Sequence, residues 1–99
     1  MLTVIAKIRV KPGQEAAFIA ASDQMIEYVR GNEAGTLTYT LSRSLADPLE
    51  FVFIERYADQ AAFAVHGGSA AAKQLFAALG SVLAGRPDMS MYEELSGKV

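Results

Sequence analysis

The sequence predicts a single α+β domain, residues 1–99, with its elements in βαββαβ order around an antiparallel sheet. Three observations carry that prediction. Four segments alternate apolar and polar residues with the period of a strand, two longer stretches repeat apolar residues with the period of a helix, and glycine or proline separates most of them. The third strand is apolar on both of its faces, so it needs cover from two sides.

Residues 2–10 place Leu2, Val4, Ala6, Ile8 and Val10 on one face of a first strand, and Pro12-Gly13 breaks it. From Gln14 to Arg30, Phe18, Met25 and Tyr28/Val29 recur at helical spacing with Ala21 between, and Gly31-Asn32 supplies a stop. Residues 36–43 read as a second strand, with Leu37, Tyr39 and Leu41 on one face and threonines on the other. Asp47-Pro48 turns the chain into a third strand over 49–57. That strand has Phe51, Phe53, Glu55 and Tyr57 on one face and Val52 and Ile54 on the other. Asp59 is placed to cap a short helix through His66 that Gly67-Gly68 ends. Ser69 is placed to cap a further helix carrying Leu75, Phe76, Leu79, Val82 and Leu83, which Gly85 and Pro87 close. Residues 88–95 form the last strand, with Met89, Met91 and Glu93 on one face and Tyr92 on the other.

Two helical layers cover only one face of such a sheet. The second apolar face predicts a two-fold homodimer, closed through the sheet faces with help from the last strand and Tyr92. Size and composition point the same way. A domain of 99 residues buries only about 60–70% of its unfolded surface, and small domains commonly add a disulfide, a metal or a partner. The chain has no cysteine and one histidine, yet 52% of its residues are hydrophobic. A net charge of −2 with scattered basic residues excludes the clustered positive face of a nucleic-acid binder. No apolar run approaches the ~20 residues that cross a bilayer, and the first strand has no signal-peptide pattern. The expected location is the cytoplasm.

The spacing Val-Lys-Pro-Gly-x-Glu-x-x-Phe at 10–18 is followed by Glu-x-Gly-x-Leu-x-Tyr at 33–39. Pro-x-x-Phe-x-x-x-Glu-x-Tyr-x-Asp-x-x-Ala-Phe-x-x-His then runs from Pro48 to His66. Together with the closing strand at 89–95, the chain resembles the antibiotic biosynthesis monooxygenase family over nearly its whole length. The resemblance implies a ferredoxin-like protomer, a homodimeric α/β barrel, and a cofactor-independent oxygenase acting on quinols or polycyclic phenols. It departs from haem-degrading relatives, which use an asparagine and a histidine where this chain has Ala6 and Phe76, and it contains no tryptophan. Many relatives also carry a second histidine where this chain has Ala71.

The residues suit that chemistry. The chain has no Gly-rich dinucleotide fingerprint, P-loop or facial metal triad, so no cofactor is expected. An electron-rich phenolate reduces oxygen itself and asks the protein for an apolar pocket, a proton acceptor and a donor to the developing oxygen charge. His66, whose side-chain type titrates near neutrality, is the candidate base. Its structural alternative is to cap its helix or bond a strand carboxylate. Glu55, on the strand face with Phe51, Phe53 and Tyr57, is the candidate orienter of His66 or a second base; its alternative is a buried ion pair. Tyr39 and Tyr57 are candidate donors to a bound oxygen, and Phe53, Phe63 and Met25 candidate lining for a small aromatic substrate. Met89 and Met91 read as core or lining.

The leading expectation is therefore an O2-dependent, cofactor-free monooxygenase of small aromatic quinols or phenols. A non-catalytic dimeric binder of a small aromatic metabolite and an isomerase on the same barrel are the alternatives.

Overall fold

The computed structural model describes residues 1–98. It has the element order β1 (Leu2–Arg9), α1 (Glu15–Asn32), β2 (Thr36–Arg43), β3 (Glu50–Tyr57), α2 (Gln60–Gly68), α3 (Ala70–Leu79) and β4 (Asp88–Glu93). The strands form one antiparallel sheet in the order β2-β3-β1-β4. This is the ferredoxin-like α+β arrangement. In the described residues the three helices lie on one face of the sheet, and no helix is long and apolar enough to cross a membrane.

Local chemistry explains most boundaries. Gly13, at φ +85°, makes the turn between β1 and α1, a conformation that costs a glycine little. Asp59 accepts the Ala62 amide at 2.8 Å to start α2, and Ser69 accepts the Ala72 amide at 3.0 Å to start α3. The two glycines expected to end α2 are instead its last residues, and Ser69 breaks the helix by taking an extended conformation.

Three expectations are corrected by the backbone. Leu37 does not share the face of Tyr39 and Leu41, because the β2–β3 register shifts between Thr36 and Thr38. Leu37 is the extra residue of that bulge and is exposed. Val82 and Leu83 lie beyond α3, which ends at Leu79. There the backbone folds onto the end of β1, with Lys11 N–H donating to Val82 O and Ala84 N–H to Arg9 O, which the end of a helix leaves available. For the same reason β1 stops at Arg9, and Val10 forms an isolated bridge to Leu83.

The main core lies between the sheet, α1 and the end of α3: Ala6, Ile8, Phe51 and Phe53 of the sheet pack with Phe18, Leu79 and Val82. Phe18 is fully buried, its ring 4.8 Å from Phe51 and 6.3 Å from Phe53. The alternation in β3 is complete on the helix side, where Phe51, Phe53, Glu55 and Tyr57 are all buried. On the far side, Ile54 and Tyr92 are exposed and Ile5 and Val52 half-buried.

Candidate active site

His66 stands in the last turn of α2, the helix that Asp59 starts. Its ring lies near two tyrosines, with centroid separations of 4.8 Å to Tyr39 of β2 and 5.6 Å to Tyr57 of β3, both tilted. The carboxylate on its ring is Glu33, in the connection between α1 and β2, where Nδ1 and Oε1 lie 2.8 Å apart. Glu33 Oε1 also accepts the Thr36 hydroxyl at 2.8 Å, and both His66 and Glu33 are buried.

Glu55 is buried on the same side of the sheet but is paired differently. Tyr57 Oη donates to Glu55 Oε1 at 2.5 Å. Burial raises the Glu55 pKa above the ordinary carboxyl range, opposed by the Tyr57 hydrogen bond and the His66 charge and reinforced by Glu33. Burial also drives both tyrosines up, Tyr57 further through the Glu55 hydrogen bond and Tyr39 through the charges of Glu55 and Glu33. Tyr39 and Tyr57 therefore remain protonated, and hence hydrogen-bond donors, across the physiological range.

A raised folded-state pKa favours the neutral acid in the fold. Its contribution to stability is complete below the ordinary carboxyl pKa and is lost as pH rises through the raised value. Glu55→Gln keeps an acceptor for Tyr57 and removes that penalty. The variant is expected to melt above the wild type at pH 8 and to converge with it near pH 4. Thermal melts across that range check this, and a pH-independent difference contradicts it.

These groups meet at an apolar cavity of about 250 Å³. Tyr39, Glu55 and His66 are the polar side chains in its wall; Phe53 and Phe63 line it with aliphatic residues of β1 and α3 and with Met89. Tyr57 lies behind this wall against His66, with Phe63 edge-on to its ring at 5.3 Å. Met25 is not part of the wall. It packs with Val29 and Ala72 between α1 and α3 and faces a separate groove beside Ala71. Ala6 and Phe76, the two positions that depart from the haem-degrading pattern, both line the cavity. An apolar side chain at each leaves neither to ligate or hydrogen-bond a haem. Among the described residues no three His, Cys, Asp or Glu side chains are gathered as a metal site.

Glu33 is the site residue that sequence reasoning missed. It opens the Glu-x-Gly-x-Leu-x-Tyr motif, and the available signal was an acidic side chain between a helix and a strand beside a glycine. Its partner is 33 residues away in sequence.

The fold and the site together define a small ferredoxin-like protein with a buried histidine–carboxylate pair beside an apolar, aromatic-lined cavity. Known proteins share this fold. The sequence profile of the antibiotic biosynthesis monooxygenase family matches residues 1–78, and the chain belongs to that family. It is 30% identical over 96 residues to the Bacillus subtilis (strain 168) protein named "Putative monooxygenase YcnE", covering 97% of this chain and 99% of that one. The crystal structure of a Caulobacter crescentus CB15 protein assigned to the same family superposes with a TM-score of 0.93 at 30% identity, over 96% of this chain and 90% of that one. Rv0793 of Mycobacterium tuberculosis superposes with a TM-score of 0.90 at 28% identity, over 99% and 98% of the two chains.

Proposed function

We propose that the protein is a cofactor-independent monooxygenase of small aromatic quinols or phenols. The observation that carries this reading is His66 paired to a carboxylate in the wall of an otherwise apolar cavity. With Nδ1 turned to Glu33, Nε2 is the ring nitrogen left to accept the phenolic proton. The phenolate then supplies the electrons: one oxygen atom of O2 bonds to the ring, and the other leaves as water with two hydrogens from the substrate. Tyr39, held protonated in the wall, donates to the charge that develops on oxygen. A dry apolar cavity of about 150 Å³ holds benzene, so about 250 Å³ suits an aromatic of one or two rings.

The protein acts as a homodimer in this proposal, joined through the sheet face that the helices leave bare and through β4. Exposed Ile54 and Tyr92, with half-buried Ile5 and Val52, give that face an apolar centre. Light scattering at micromolar concentration is expected to give twice the mass of one chain; a single monomeric mass removes the dimer.

Oxygen uptake with a panel of reduced naphthoquinols tests the activity. Metal-free protein is expected to consume O2 well above the autoxidation blank and to place one labelled oxygen atom in the product. Uptake at the blank rate ends the oxygenase reading for those quinols. Thermal stabilisation by the same compounds without turnover identifies a binding module instead.

A further inference from the structure

We infer that the connection between α1 and β2, residues 33–35, is a positioning device that holds His66 in its Nδ1–H tautomer, with Glu33 as the positioning residue. Three observations converge on it. The first is donor counting. Glu33 Oε1 accepts the Thr36 hydroxyl and lies 2.8 Å from His66 Nδ1, so it is an acceptor toward both, and the Nδ1 side carries the proton. A neutral imidazole has one N–H, and Nε2 is left as the lone-pair nitrogen.

The second is how the connection is anchored. The Glu33 amide donates to Val29 O at 3.0 Å, the Thr36 amide to Glu33 O at 3.1 Å, and the Ala58 amide to Gly35 O at 2.9 Å. The backbone is thus tied to α1 on one side and to the end of β3 on the other. The third is a close approach. A Cβ on Gly35 would stand 2.6 Å from the Ala62 Cβ, a distance that packed side chains do not adopt. Ala62 and His66 are one helical turn apart in α2, on the same side of the helix. Gly35 therefore lets the connection seat directly on the helix that carries the histidine, and that seating brings Glu33 to the ring.

The second Glu33 oxygen, Oε2, is buried and meets no donor among the described residues. A carboxylate whose Oε1 faces the imidazole Nδ1 is suited to fix the tautomer of the ring.

The catalytic part of this inference rests on His66 being the base, but its core is measurable without substrate. His66 is the only histidine, so nitrogen-15 spectra of the imidazole, taken alkaline enough to keep the ring neutral, report one residue. The wild type is expected to show a single dominant Nδ1–H tautomer. Glu33→Gln and Glu33→Ala are expected to populate both tautomers, the first guarding against loss of fold in the second. Gly35→Ala is expected to do the same with Glu33 still present. Gly31→Ala, whose added Cβ meets nothing within 4 Å, is expected to leave the spectrum as in the wild type.

An Nε2–H wild type, or an unchanged tautomer in both Glu33 variants, overturns the inference. An unchanged tautomer in Gly35→Ala overturns the seating argument. With a quinol that turns over, the Glu33 variants are expected to lose roughly 10²-fold in kcat, the order expected of a misplaced general base. A tautomer that shifts while kcat holds leaves the device in place and removes His66 from the chemistry, so the two failures are distinguishable.

Discussion

Replacing His66 with Ala is expected to lower kcat for a reduced naphthoquinol by about 10²–10⁴-fold, the usual contribution of a positioned general base. The substrate gives up a phenolic proton before it reduces O2, and His66 is the one imidazole in the cavity wall. Tyr39 and Tyr57 cannot substitute, since burial holds both protonated. Glu55 can accept a proton, but Tyr57 already donates to its Oε1. The same variant leaves Glu33 buried without its ring partner, which costs about 1–3 kcal/mol. Loss of activity must therefore be measured below the variant's own melting transition. Steady-state oxygen uptake corrected for folded fraction is the measurement, and an unchanged kcat removes His66 from the mechanism.

The second large effect is on stability. Phe18→Ala is expected to cost about 3–5 kcal/mol, the range for truncating a buried aromatic. Phe18 is fully buried where α1 meets the sheet, against both Phe51 and Phe53. A 99-residue domain typically has about 5–15 kcal/mol in total, so the loss takes a large share of it. Urea unfolding is expected to show a lower midpoint with an unchanged slope, as a cavity in the native state requires. Truncation of Phe76, which lines the cavity from α3 but is exposed, is expected to cost far less. If the two variants lose equal stability, the core is not where the burial places it.

Much of the fold was legible because its causes are local. The alternation of residues 50–57 puts four side chains on the helix face whatever packs there, and all four are buried. Asp59 and Ser69 announce their helices because a short polar side chain can satisfy an amide two or three residues on. The errors arose where a distant segment decides. Leu37 looked like a partner of Tyr39 because period-2 counting assumes an unbroken ladder, and a one-residue bulge inverts the face. Val82 and Leu83 looked helical because their spacing continues that of Leu75 and Leu79, but the end of β1 offers their backbone other partners.

The site divides in the same way. Tyr39, Phe53, Glu55, Phe63 and His66 were all named from sequence and meet at one cavity. Their meeting follows from strand alternation and a capped helix lying over the sheet. Met25 shared their composition but not their place, since its face of α1 turns toward α3. Glu55 was expected as the acid beside His66 because it stands amid aromatics. The carboxylate bonded to the ring is Glu33.

The amino-acid sequence by itself determined the element order, the helix-facing side of β3 and the set of aromatics around a single histidine, because each depends on the period or the side chain of neighbouring residues. Tertiary structure alone decided which carboxylate holds that histidine and which residues wall the cavity. A pairing across 33 residues depends on how closely one connection seats on one helix, and at Gly35 that seating turns on the absence of a single carbon atom.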